Sequence, residues 1–182
     1  MLNMGFIEDI ETILEKTNED KKMLFFSATM PDSILKIAKR YMGKYKVLKV
    51  ENKELTTALT EQIYFQVSEG DKFEALCRVL DYSQNFYGIV FCRTKSDVDD
   101  VTQHLKGRGY DAESIHGDIT QGMRTKTLED FKKKTTTVLV ATDVAARGID
   151  VNNLTHVINY SIPQEPESYV HRIGRTGRAG NK

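Results

Sequence analysis

Short apolar runs alternating with longer amphipathic stretches constrain this 182-residue chain more than any other feature. Residues 88–92 and 137–141 are nearly unbroken apolar runs of strand length, which suits strands buried on both faces. Further strands are predicted at 63–67, 112–116 and 155–160. Between them, Phe73, Leu76, Cys77 and Leu80 follow the i, i+3, i+4, i+7 spacing of a helix with one apolar face. Val98, Val101 and Leu105 mark a second helix, and Leu128 and Phe131 a third. Ser96 and Thr120 are placed to cap helix starts, Gly107 and Gly109 to end one, and Pro166 to open a last helix. Strands alternating with helices of this length predict an α/β fold, an open, doubly wound parallel sheet covered on both faces.

The first fifty residues repeat the pattern on a smaller scale. Phe6, Ile7, Ile10, Ile13 and Leu14 lie at helical spacing, and Met23-Leu24-Phe25-Phe26 reads as a buried strand. Pro31 opens a helix that runs to Met42 and stops at Gly43, and residues 45–50 alternate loosely as a strand. Residues 51–59 are polar and without period, a linker.

Net charge is zero, but its distribution is uneven. Residues 1–20 carry six acids against Lys16, whereas residues 171–182 carry Arg172, Arg175, Arg178 and Lys182 with no acid. A neutral total thus conceals a basic patch suited to an anionic partner. Two cysteines, Cys77 and Cys92, offer neither a disulfide framework nor zinc spacing, and read as buried thiols of a reducing, cytoplasmic setting. No apolar run approaches the roughly 20 residues of a membrane helix. His104, His116, His156 and His171 share no metal-ligand spacing, and Asp97, Asp99 and Asp100 fall where acids favour a helix dipole, so no metal is assigned.

The stretch 171–178, His-Arg-Ile-Gly-Arg-Thr-Gly-Arg, spaces arginines three apart, with glycines at the same interval. In a helix this puts Arg172, Arg175 and Arg178 on one face. Each glycine would cost about 0.8–1.0 kcal/mol against alanine there, so propensity does not explain them. Glycine permits close approach and arginine offers a fork for phosphate oxygens, which together read as a polyphosphate site. Four further motifs follow predicted strands, where open α/β sheets bind ligands. Ser27-Ala28-Thr29 breaks the first run. Phe91, Arg93 and Thr94 lead from a strand into a turn that is as often plain surface as a binding loop. His116-Gly117-Asp118, with Gln121 and Arg124 on one helix face, suits either a phosphate or an ordinary capped turn. Thr142-Asp143 is followed by Arg147 and Asp150, either a structural ion pair or a site in which Asp150 accepts from ribose hydroxyls. A Gly-x-x-x-x-Gly-Lys-Ser/Thr loop is absent from the sequence, so arginines for a triphosphate stand without a loop to hold it.

In this order the motifs resemble the second half of a DEAD-box ATP-dependent RNA helicase. Those that carry the resemblance are Ser-Ala-Thr (27–29), Ile-Val-Phe-Cys-Arg-Thr (89–94), His-Gly-Asp with Gln121 and Arg124, Ala-Thr-Asp-Val-Ala-Ala-Arg-Gly-Ile-Asp (141–150) and residues 171–178. The resemblance covers essentially the whole chain, since Met1-Leu2-Asn3-Met4-Gly5-Phe6 also looks like the segment after the acidic tetrad. It implies that residues 1–50 are the tail of a first RecA-like lobe, 51–59 a linker and 60–182 a truncated second RecA-like lobe. It further implies ATP with magnesium as cofactor, held mainly by the missing first lobe, and a sequence-nonspecific single-stranded or short-duplex RNA partner. Ser27 and Thr29 would couple the lobes. Phe91, Arg93, Thr94, Gly117, Gln121, Arg124 and Thr142 would face the RNA. Asp150, Arg147, His171, Arg172, Arg175 and Arg178 would serve the nucleotide, with Arg175 and Arg178 as catalytic arginine fingers, Arg147 at the lobe junction, and His171 and Arg172 organising the cleft. Alone, such a piece is expected to be inactive and to self-associate through residues 1–50. The competing readings are a noncatalytic RNA-binding or partner-docking lobe and a DNA-directed superfamily 2 helicase.

Overall fold

Strands Gly88–Phe91 (β1), Ala112–Ile115 (β2), Val138–Ala141 (β3) and His156–Asn159 (β4) form one parallel sheet in the order β2-β3-β1-β4. The computed structural model describes residues 6–27, 30, 32–49, 60–146, 148–149, 151 and 154–176. Its chain divides into two compact units, Met1–Asn52 and Lys53–Lys182. The expected linker at 51–59 lies outside the described residues.

The sheet belongs to the second unit, where period-two alternation of its strands supplies two cores. Val90 and Cys92 face one side with Val138 and Val140. Helices α3 (Lys72–Tyr82) and α4 (Lys95–Gly107) cover that side through Leu76, Cys77, Leu80, Val98, Val101 and Leu105. Ile89, Phe91, Leu139 and Ala141 face the other. There they meet Phe131 of α5 (Gln121–Lys132) and Ala145 and Ala146 of the one-turn helix α6 (Asp143–Ala146). The last helix, α7, spans Pro166–Ile173 and takes Pro166 at its first turn as expected. Both cysteines are free and buried, and burial pushes the Cys92 thiol up to about 12.

Local chemistry sets the helix ends. The start of α4 is Thr94 rather than Ser96, because Thr94 and Asp97 form a reciprocal capping box. The Thr94 hydroxyl oxygen accepts from the Asp97 amide at 3.0 Å, and the Asp97 carboxylate accepts from the Thr94 amide at 3.1 Å. Thr120 caps α5 as expected, accepting from the Met123 amide.

Three expected strands do not form. Residues 61–68 run without ladder hydrogen bonds, leaving Tyr64 89% exposed and Phe65 64% exposed. In the first unit, residues 21–27 and 45–49 are likewise irregular. Apolar, β-branched and aromatic residues favour a strand only when a neighbour supplies the ladder, and among the described residues none lies alongside. That unit otherwise comprises α1 (Ile7–Glu15) and α2 (Asp32–Met42), joined by an Arg40–Glu11 ion pair at 2.7 Å. Gly43 follows α2 at φ +60°, a left-handed stop.

Two positions give tests of this packing. A Cβ on Gly88 would stand 2.4 Å from the His156 carbonyl oxygen, so β1 and β4 pair only with a bare backbone there. Gly88→Ala is expected to cost about 1–3 kcal/mol in urea unfolding. His156 stacks on Phe86 at 4.9 Å and contacts the Ser83 and Thr155 hydroxyls, and burial lowers its pKa below the ordinary 6.5. The unfolded chain therefore takes up this proton first. The His156 contribution to stability is full above pH 6.5 and is lost as pH falls through the depressed folded value. Melting temperatures down a pH series should fall less steeply for His156→Gln than for wild type.

Candidate nucleic-acid and nucleotide interface

Phe91 pairs with both Ala141 and Asn159, and Ile115 pairs with Ala141, so all four strands end at one level. The loops leaving them share one rim, in the order 116–118, 142–143, 92–94 and 160–161. Helices α4 and α5 begin at this rim and turn unpaired backbone N–H groups toward it, the usual geometry for holding anions.

Six of the seven residues expected to face RNA lie in these loops or the first turn of α5. Arg93, Thr94, Gly117 and Gln121 are exposed. The Arg93 amide donates to the Ser161 hydroxyl at 3.2 Å, tying the β1 and β4 loops together. Arg124, half-buried, donates from Nη2 to the Ala145 carbonyl at 2.7 Å, and Thr142 Oγ1 accepts from the Ala145 amide at 3.4 Å. Helix α6 is therefore held from two sides.

Phe91 is the exception. It is 2% exposed and belongs to the core beneath α5 and α6, below the rim rather than on it. The strand's alternation sends Phe91 inward with Ile89, and only after Cys92 does the chain emerge. The guanidinium of Arg172 lies over its ring, 4.9 Å from the centroid.

Arg172 is buried as well. It is 3% exposed, and its forks are spent inside the protein. Nε and Nη2 donate to the two Asp143 carboxylate oxygens at 2.6 and 2.7 Å, and Nη1 donates to Asn159 Oδ1 and the Ser161 carbonyl at 2.8 and 2.7 Å. One side chain thus joins α7 to the ends of β3, β4 and β1. Helix α7 ends at Ile173 and Arg175 sits in the following turn, so Arg172 and Arg175 do not share one helical face. Arg175 donates to the Ile149 carbonyl at 3.2 Å, which sets it against the loop that continues to Asp150. His171 is exposed.

Arg178, Arg147, Asp150 and Thr29 lie outside the described residues. Ser27 is exposed in the irregular segment of the first unit. Sequence reasoning did not single out Asp143, Asn159 and Ser161 as the partners of Arg172, because the bidentate pair spans 29 positions and follows no local spacing. On the rim, Lys95 pairs with Asp118 at 2.5 Å and holds its carboxyl below the usual range, while His116 meets Asp99 at 3.0 Å. Among the described residues no cluster of His, Cys, Asp or Glu suits a metal ion, and no helix is long and apolar enough to cross a membrane.

Comparison with known proteins agrees with this geometry. The chain is 54% identical over 182 residues to the ATP-dependent RNA helicase CshA of Listeria monocytogenes, covering 100% of this chain and 35% of that protein. It thus spans about a third of the length of the curated relatives it matches. A crystal structure of a DEAD box protein from Methanococcus jannaschii is 54% identical with a TM-score of 0.65, covering 100% of this chain and 48% of that one. S. cerevisiae Dbp5 bound to RNA and ADP BeF3 is 30% identical with a TM-score of 0.88, covering 98% of this chain and 48% of that one. Residues 71–180 match the helicase conserved C-terminal domain, and the chain belongs to that family in the form carried by DEAD-box proteins.

Proposed function

We propose that this chain is part of an ATP-dependent RNA helicase, which couples ATP binding and hydrolysis to local unwinding or remodelling of RNA duplexes. The carrying observation is the shared rim of Arg93, Thr94, Gly117, Gln121, Arg124 and Thr142 beside two helix N-termini. Amides, hydroxyls and guanidiniums suit phosphates and sugars rather than base edges, so binding is sequence-nonspecific, to single strands or short duplexes. The names of the relatives and the RNA in the Dbp5 structure support the same partner.

For the nucleotide, Arg175 and Arg178 supply cationic forks to the phosphates, Asp150 accepts from the ribose, and Arg147 and His171 complete the set. The lean of Arg175 on Ile149, next to Asp150 in sequence, fits such a donor set. ATP brings the phosphoryl chemistry, and these side chains orient it and neutralise developing charge. Magnesium accompanies the ATP and is held mainly by the first lobe. Residues 1–50 form the tail of that lobe, 51–59 the linker and 60–182 the second lobe, with Ser27 and Thr29 coupling the two. Exposed Phe26 and Leu48 support self-association of the isolated chain through residues 1–50. The protein works in the cytoplasm.

A noncatalytic RNA-binding lobe is the second reading. RNA-stimulated ATPase of the complete gene product separates the two. Arg175→Ala and Arg178→Ala should each lower turnover about a thousandfold while leaving the melting temperature near wild type. Unchanged turnover would return both arginines to the surface and leave a binding lobe. Arg172→Ala should act through stability instead. It strands the Asp143 carboxylate, which keeps 35% exposure, at a cost on the order of 3 kcal/mol in urea unfolding. An unfolding midpoint equal to wild type would remove its organising role.

A further inference from the structure

Gly117 is bare for no internal reason. Its φ lies outside the left-handed region, and a Cβ built there would meet nothing closer than the Lys95 Cε at 3.6 Å, an ordinary contact. Neither conformation nor packing requires glycine, and the bare backbone leaves this exposed turn open to close approach by a ligand strand. Directly over this bare backbone lies the Lys95 ammonium, 3.8 Å from the same built Cβ. Lys95 is the first residue of α4, beside Thr94, so its charge stands between two of the residues read as RNA contacts.

The ammonium is parked on Asp118. The Nζ–Oδ1 distance is 2.5 Å, and the side chains are 53% and 65% exposed. An ion pair this open to water is weakly held and exchanges readily. Asp118 is itself fixed in place. Its amide donates to His116 Nδ1 at 3.3 Å, and the opposite ring nitrogen faces Asp99 at 3.0 Å, so the turn is anchored to α4. A nucleic-acid strand lying on Gly117 meets a pre-positioned cation whose present partner is a carboxylate in the same loop.

We infer that Lys95 is a further RNA-phosphate contact, released from Asp118 when a strand occupies the Gly117 turn. Phosphate and carboxylate oxygens present the same kind of acceptor to an ammonium, so the exchange swaps one anionic partner for another. Asp118 then acts as an internal competitor that offsets the Lys95 charge when the site is empty. The assignment rests on the reading of this rim as an RNA-backbone site.

The test is the affinity of a fluorescein-labelled oligouridine for the 182-residue chain across a salt series, with melting temperatures checked alongside. Lys95→Ala should weaken binding and flatten the logarithmic salt slope by about 0.7, the loss of one contact to a single strand. Lys95→Arg should keep the wild-type slope. Asp118→Asn should tighten binding at low salt, since the ammonium no longer leaves a charged partner. An unchanged slope in Lys95→Ala, or weaker binding by Asp118→Asn, overturns the assignment while the rim remains an RNA site through Arg93 and Arg124. Absence of salt-dependent oligouridine binding by the wild-type chain overturns both.

Discussion

The arrangement depends on the central strand β1, which is hydrogen-bonded along both edges and covered on both faces. Four residues suffice because each is fully committed. Ile89 and Phe91 anchor one core, Val90 and the adjoining Cys92 the other, and the backbone satisfies its polar groups through β3 and β4. A strand so confined cannot slip by one residue without exchanging its two faces. Since β3 and β4 take their registers from β1, and β2 takes its own from β3, the level of the whole rim is fixed from the centre.

The motif residues divide between building that rim and facing outward from it. Phe91, Arg172, Asp143, Asn159 and Ser161 build. A guanidinium is well chosen for the centre of such a junction, because its planar donors reach several acceptors at once and its face still packs on an aromatic ring. Arg93, Thr94, Gly117 and Gln121 face outward. Thr94 belongs to both groups, since its oxygen already caps α4 while the residue stands exposed on the rim.

Most of the second unit was legible in the sequence. The apolar runs at 88–92 and 137–141, the helical spacing from Phe73 to Leu80, and the capping role of Thr120 all reflect short-range rules. What was missed depended on distance or on neighbours. The 63–67 run has the composition of a strand, yet strand formation is decided by an adjacent ladder, which composition does not encode. Arg172 looked like Arg175, and only the approach of Asp143 from another strand end shows that the Arg172 fork is spent inside the protein. Thr94 outranked Ser96 as the cap because an acid stands three positions after it, a pairing readable in principle from Thr-Lys-Ser-Asp.

Cys77 and Cys92, the two thiols of the chain, belong to the same core layer beneath α3 and α4. Burial raises both, so neither presents a reactive thiolate while that layer is closed. Alkylation of this protein therefore clocks the opening of one face of the sheet and is blind to the other. Since the rim loops leave from strands that this layer supports, the rate at which a thiol reagent enters reports how often the platform beneath the motifs comes apart.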